Sequence, residues 1–120
     1  NPMTPLGPLR VMRNAILRRP RAGGDPVGPA EALSVEQALS AMTTNAAWQL
    51  GVERLRGSLE PGKSADLVVL SANPFDTPPE DWNEIDVLGT WVDGTPVDTR
   101  KLSRPNLRIA ARAVRQLLAR

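Results

Sequence analysis

The first apolar pattern in the chain is that of an amphipathic helix. Leu9, Met12 and Ile16 recur at helical spacing after a proline, which fits the first helical turn because its missing N–H is not needed there. The helix should end before Pro20. The segment 20–30 holds three prolines and three glycines, so we expect a long surface loop.

Two shorter helices are predicted next. Ser34 and Gln37 have the spacing of a capping box, in which each side chain accepts a hydrogen bond from the other residue's backbone N–H. Thr43 or Thr44 can cap the third helix, over 45–50, and the glycine that follows is a natural C-terminal residue.

Short strands follow the helices. The uninterrupted apolar run 67–70 is the pattern of a strand covered on both faces, and 85–91 predicts a second strand. Asp93 and Gly94 favour the type I′ turn of a hairpin. Pro96 lacks a ladder N–H, so the returning arm should be an edge strand. Such a small sheet has unpaired edges, which need a covering helix or strands from elsewhere.

The end of the chain, 98–120, predicts an amphipathic helix whose arginines lie off its apolar stripe. We favour a docked helix with a solvated basic face. The alternative is an independent interaction module that uses this basic helix to bind nucleic acid or an acidic surface. The net charge of the 120 residues is only +2, however, and we expect no nucleic-acid partner.

Composition removes several kinds of site. The sequence contains no cysteine and no histidine, which excludes disulfides, thiolate metal sites and triads or metal clusters built on imidazole. No apolar run approaches the roughly 20 residues that span a bilayer, and no signal-peptide pattern opens the chain. We therefore expect a cytoplasmic location without a membrane partner. The first residue is Asn1, which favours a processed chain or a segment of something longer.

Four stretches of sequence carry a family resemblance in combination. They are 32–39 (ALSVEQAL), 42–47 (MTTNAA), 57–70 (GSLEPGKSADLVVL, with a type II turn predicted at its Pro-Gly) and 90–97 (TWVDGTPV). Together they resemble the C-terminal part of metal-dependent amidohydrolases, most closely the branch related to imidazolonepropionase and the cytosine-deaminase-like enzymes. The resemblance extends over roughly residues 1–97.

The resemblance implies an incomplete α/β fold. Residues 1–52 would supply the last helices of a (β/α)8 barrel, and residues 53–97 the C-terminal strands of a small composite β-sandwich. The remaining strands of that sandwich come from the N-terminus of the family, and 98–120 would be an added C-terminal helix. We expect the partner to be the rest of the amidohydrolase chain, or a second copy bound through exposed strand edges.

The resemblance also implies which chemistry the chain lacks. In the family, zinc or another divalent metal activates water, held by histidines, sometimes a carboxylated lysine, and an aspartate in a Ser-Asp-x-Pro pattern. Aligning Pro2 with that proline places the aspartate just before Asn1. We therefore assign no catalytic, cofactor-binding or metal-binding residue here, and we expect no activity from this chain alone. Residues 1–4 would line the substrate mouth.

Other polar residues have a functional and a structural interpretation, and we favour the structural one. Lys63 and Asp66 could form a catalytic pair, but Asp66 fits a cap that leads the loop into the strand. Thr43 or Thr44 could be a nucleophile, yet no base lies nearby, and a helix cap is the simpler role. A pair of glycines at 23–24 is not a phosphate loop, because no strand precedes it.

The remaining candidates are acidic and aromatic. The polar, proline-rich loop 73–84 and the residues after it could bind a cation, but they lack EF-hand spacing, so a solvated acidic loop is the better interpretation. Its acidic residues are Asp76, Glu80, Asp81, Glu84 and Asp86. Trp48 and Trp91 are interpreted as core or interface anchors.

The leading hypothesis is a C-terminal segment of an amidohydrolase-like metal-dependent hydrolase that acts on carbon–nitrogen bonds other than peptide bonds. In this hypothesis the chain itself is structural. Besides the interaction module, a third possibility is the remnant of a broken amidohydrolase gene.

Overall fold

The computed structural model describes residues 7–20 and 22–98, which combine helices with a small antiparallel sheet. The elements are α1 (Pro8–Leu17), α2 (Val35–Met42), α3 (Thr44–Gln49), β1 (Leu67–Leu70), β2 (Val87–Val92) and β3 (Thr95–Pro96), with 3₁₀ helices at Pro29–Glu31 and Pro79–Glu84. None of the helices described is both long enough and apolar enough to cross a membrane. The N-terminal segment 1–4 and nearly all of the predicted terminal helix lie outside the described residues.

The ends of the first two helices follow from local chemistry. Pro8 occupies the first turn of α1, and the backbone N–H of Arg18 closes the helix by donating to Asn14 O at 2.8 Å. At α2 the capping box is present: Ser34 N–H donates to Gln37 Oε1 at 2.9 Å, and Gln37 N–H to Ser34 Oγ at 3.1 Å. Both predicted helix starts are confirmed.

The core forms where α1, α2 and the second 3₁₀ helix meet. Its buried side chains are Met12, Ala38, Trp82 and Ile85, and Leu70 at the end of β1 packs against them. Trp82 is 1% exposed, and its indole Nε1–H donates to Thr77 O at 3.0 Å, so burial leaves no unpaired polar atom on the ring. The core therefore joins helices from the first half of the chain to the segment between β1 and β2.

The sheet has the order β1-β2-β3, with both pairs antiparallel. Leu67 pairs with Trp91, and the register shifts between Val69 and Leu70. The turn from β2 to β3 has Asp93 at φ 51° and Gly94 at φ 71°, the two left-handed residues that a type I′ turn requires. The hairpin and the edge position of the proline-containing strand are confirmed.

Two expectations, on the coverage of β1 and on the capping of α3, were wrong. β1 is not covered on both faces by the described residues, because Val68 is 51% exposed and Val69 is 41% exposed. Trp48 is 71% exposed, so it is not a core residue among the described residues, and its other predicted role as an interface anchor stays a prediction. Thr43 occupies the N-cap position of α3, but its hydroxyl donates backwards to Leu39 O at 2.7 Å instead of capping the helix.

Candidate functional site

One backbone hydrogen bond ties the loop between α3 and β1 to α3, and another closes the loop on itself. Val52 N–H donates to Ala47 O at 2.9 Å, and Ser64 N–H donates to Leu55 O at 2.8 Å. The type II turn within the loop is present, since Lys63 N–H donates to Glu60 O at 3.1 Å and Gly62 has φ 90°. The loop thereby delivers its polar side chains to the entrance of β1 and the β2–β3 turn.

Three side chains of the loop and one of the β2–β3 turn form the charged junction: Arg56, Ser64 and Asp66, with Asp93. The Arg56 guanidinium lies between two carboxylates. It donates from one Nη to Asp66 Oδ2, and from the other to Asp93 Oδ1 at 3.0 Å and Oδ2 at 3.2 Å. Ser64 Oγ–H lies within hydrogen-bonding distance of both carboxylates. A planar guanidinium suits this bridging role because its donors project as a fork.

Asp66 links the loop to the hairpin. Its Oδ1 accepts the Asp93 backbone N–H at 2.8 Å, and one residue earlier Ala65 O accepts the Gly94 N–H at 3.0 Å. The type I′ turn is therefore fastened to the loop by side-chain and backbone bonds together. This geometry supports the predicted structural role of Asp66 as a cap at the start of the strand.

Lys63 does not pair with Asp66. Its Nζ donates to Ser58 Oγ at 2.7 Å and to Glu60 Oε1 at 3.2 Å, and Ser58 Oγ–H donates to the same Glu60 oxygen at 2.5 Å. The hydrogen bonds from Ser58, and then from Lys63, lower the pKa of Glu60. Lys63 therefore stabilises the turn at one end of the loop, while Asp66 acts at the other.

The other candidate residues remain apart from this junction. Thr43 Oγ1 donates to Leu39 O and Thr44 Oγ1 lies 3.5 Å from Ser40 O, so both hydroxyls contact backbone carbonyls of α2. In the acidic segment, Asp76 accepts from Asn73 Nδ2 at 2.6 Å. The glycines at 23–24 lie in a loop, where Gly23 N–H donates to Pro20 O at 3.0 Å. Trp91 is half-buried on β2.

A metal ion finds no suitable ligand set in the part of the chain that the structure describes. That part contains no group of three or more histidine, cysteine, aspartate or glutamate side chains placed to hold an ion. In the charged junction, both carboxylates are engaged by Arg56. The guanidinium already occupies the space between the two carboxylates, so the junction is an ion-pair network and does not present the ligand set that a divalent metal needs.

Sequence reasoning did not single out Arg56. Its neighbour Arg54 is also in the loop, and the local pattern does not distinguish the two. The difference arises from contacts with Asp66 and Asp93, which are 10 and 37 residues away along the chain. Only the pairing of the loop with the hairpin selects Arg56 as the bridge.

The junction should make stability depend on pH. Hydrogen bonds from Ser64, and then from Arg56, lower the pKa of Asp93, so its ionised form is favoured in the folded chain. This contribution is complete above about pH 5, about one unit above the ordinary aspartate pKa, and is lost as pH falls through the lowered pKa. Asp93→Asn keeps a residue that tolerates positive φ but removes the charge. We expect its melting temperature to lie below that of the parent chain at pH 7.

The measurement is thermal unfolding, followed by circular dichroism, between pH 7 and pH 2.5. The gap between the parent chain and Asp93→Asn should narrow below about pH 5, because protonation removes the same charge from the parent. A gap of constant size across this range would show that the Asp93 charge does not contribute to folding.

Comparisons with known proteins identify the kind of chain to which this geometry belongs. Residues 1–98 match the model of a family described as "Amidohydrolase family". The N-substituted formamide deformylase of Arthrobacter pascens is 37% identical over 94 residues, which are 78% of this chain and 17% of that protein. Imidazolonepropionase of Thermoplasma acidophilum is 47% identical over 47 residues, covering 39% of this chain and 12% of that protein.

A solved structure gives a related match. A crystal structure of an amidohydrolase from Thermotoga maritima is 39% identical, with a TM-score of 0.48, over 57% of this chain and 16% of that one. The chain thus spans about a sixth of the length of the deformylase and of this solved protein.

Proposed function

Because the chain belongs to the amidohydrolase family, we propose that it is the C-terminal part of a metal-dependent hydrolase acting on carbon–nitrogen bonds other than peptide bonds. One observation carries the proposal: the family match covers residues 1–98, yet the chain spans only 17% of the deformylase to which it is similar. The names of the relatives, a deformylase and an imidazolonepropionase, support a hydrolytic reaction at a carbon–nitrogen bond.

In this proposal the chain contributes structure, and the rest of the polypeptide contributes catalysis. The sequence has no histidine, and the described residues present no metal-ligand group. Zinc or another divalent metal would be held by residues outside this chain, where it would activate water. The described residues would complete a barrel through their helices and a composite β-sandwich through their strands, in the cytoplasm.

The exposed apolar surface of the described residues supports the proposal that they are one part of a larger folded unit. Of the described hydrophobic residues only five are buried, whereas large hydrophobic side chains are exposed on the helices, the loop and the sheet. On the sheet, Val68 of β1 and Leu88 and Val92 of β2 are each at least 45% exposed. An exposed apolar surface of this kind marks a contact with further protein. We propose that the rest of the hydrolase chain, or a second copy through the outer edges of β1 and β3, covers it.

A segment exchange tests this function. The matching C-terminal segment of the Arthrobacter pascens deformylase is replaced by residues 1–98 of this chain, and deformylation is assayed beside the deformylase truncated before that segment. We expect the truncated enzyme to be inactive and the exchanged enzyme to recover measurable turnover, because the transplanted residues restore the missing structure. The 120-residue chain alone, supplied with zinc and a panel of cyclic amides, should show none.

A loop variant serves as the control for the exchange. An exchanged enzyme carrying Gly57→Ala should lose the recovered turnover, since that substitution disrupts the loop against α3. Turnover by the isolated 120-residue chain, or equal activity of the truncated and exchanged enzymes, would overturn the assignment.

A further inference from the structure

A second feature lies away from the charged junction: a cavity of about 520 Å³ between α1, the loop after it and the second 3₁₀ helix. Its lining consists of basic and amide side chains, two glycines and a small apolar wall: Arg10, Arg13, Asn14, Leu17, Arg19, Pro20, Gly23, Gly24 and Asn83. A volume of this size is in the range of sites that bind small molecules.

The cavity is strongly cationic. Among the described residues, three arginines contribute to its lining, and no aspartate or glutamate does. Arg10 and Arg19 form no ion pair with the described residues. Three like charges that share one cavity repel each other, and this repulsion is relieved when an anion enters.

The fold sets the spacing of the arginines on α1 and holds one of them in place. Arg10, Arg13, Asn14 and Leu17 stand three and four residues apart on α1, so they share one side of the helix. Arg13 is held in place because its Nε–H lies within hydrogen-bonding distance of Pro79 O at 3.1 Å and of Glu80 O at 3.3 Å. This anchor ties the cationic side of α1 to the second 3₁₀ helix and keeps the cavity formed.

We propose that this cavity binds a phosphate group, either free or as the ester of a small organic molecule. Guanidinium forks match phosphate oxygens in geometry and charge, and a cluster of three suits a doubly charged ligand better than a monocarboxylate. Asn14 and Asn83 add amide donors. The cavity is larger than a bare phosphate needs, and Leu17 and Pro20 offer an apolar wall for an attached organic group.

Calorimetric titration of the full 120-residue chain tests the site. Inorganic phosphate and glycerol 1-phosphate are the two probes, at constant ionic strength maintained with chloride. We expect saturable binding, with Arg10→Gln and Arg19→Gln each weakening it about tenfold through loss of charge-assisted hydrogen bonds. Arg54→Gln is the matched control, because Arg54 is an exposed arginine that does not line the cavity, and it should change affinity less than about twofold.

The two probes distinguish the source of the phosphate group. Tighter binding of the ester assigns the site to an organic phosphate, and equal or tighter binding of inorganic phosphate assigns it to the free ion. Near-ultraviolet circular dichroism of the tryptophans verifies that each variant is folded. Arg10→Lys, which keeps the charge but loses the fork, provides a second variant at that position and should weaken binding by less than Arg10→Gln. Absence of saturable binding by both probes, or equal weakening by Arg54→Gln and Arg10→Gln, would overturn the proposal.

Discussion

Gly57→Ala should destabilise the chain by about 2–5 kcal/mol, the combined effect of backbone strain and overpacking. Gly57 has φ 98°, which side-chain-bearing residues rarely adopt. A Cβ at this position would also lie 2.5 Å from Ala47 Cβ and 3.2 Å from Thr43 O. The loop must therefore separate from α3 or the backbone must change, and either response disturbs the approach to the charged junction.

Urea unfolding followed by far-ultraviolet circular dichroism measures this effect. Gly62→Ala is the matched control: Gly62 has φ 90° in the same loop, but a Cβ there meets nothing within 4 Å. It should cost about 1–2 kcal/mol, from strain alone. Ala47→Gly combined with Gly57→Ala removes the nearest clashing atom and should restore part of the lost stability. Equal losses from Gly57→Ala and Gly62→Ala would show that the loop does not pack closely on α3.

Trp82→Ala should cost about 3–5 kcal/mol, the usual loss when a large buried aromatic side chain is truncated in a core. Trp82 is 1% exposed and belongs to the cluster with Met12, Ala38 and Ile85. Its removal leaves a cavity between α1, α2 and the second 3₁₀ helix. Thr77 O also loses the hydrogen bond that it accepts from the indole Nε1–H at 3.0 Å. We expect the unfolding midpoint in urea to fall accordingly.

An exposed tryptophan provides the control for this prediction. Trp48 is 71% exposed, so Trp48→Ala should change the stability of the isolated chain by no more than about 0.5 kcal/mol. Trp82→Phe keeps most of the aromatic volume but lacks the N–H donor. Its loss of stability should lie between those of Trp48→Ala and Trp82→Ala. Comparable losses for Trp48→Ala and Trp82→Ala would contradict the core described here.

Features that depend on near neighbours in the chain could be predicted from the sequence. The capping box of Ser34 and Gln37 needs only two side chains at a fixed spacing, and it is present. The hairpin turn at Asp93 and Gly94 is equally local, because positive φ at both positions is a property of those residue types. The family resemblance rested on such local stretches and is confirmed by the match over residues 1–98.

Features that depend on distant parts of the chain could not be predicted. Trp82 stands among prolines and acidic residues in Pro79–Glu84, a composition that predicts a solvated loop. Trp82 is buried because this segment packs against α1. The hydrogen bond from Arg13 on α1 to Pro79 O helps to hold the segment there. Trp48 presents the opposite case: the sequence predicts a core or interface anchor, and its 71% exposure among the described residues leaves only the interface role, which stays a prediction.

The burial of the β1 side chains likewise could not be predicted from the sequence of the strand. Its apolar run predicts burial on both faces, and the strand forms at the predicted residues, but Val68 and Val69 remain more than 40% exposed. An apolar run of this kind is typical of a strand that is covered on both faces in the complete protein, and the covering residues can lie in other parts of that protein. The division at 52 and 53 into barrel and sandwich parts stays a prediction.

The mass of the native polypeptide that carries the segment 57–70 tests the central proposal most directly. Peptides from this segment are located by mass spectrometry after cell extracts are separated by size under denaturing conditions. We expect them in a polypeptide several times heavier than 13.0 kDa, together with histidine-containing peptides from a metal-binding barrel, because the chain spans only 17% of the deformylase. Finding these peptides only at 13 kDa would contradict the proposal that the chain is one part of a larger hydrolase.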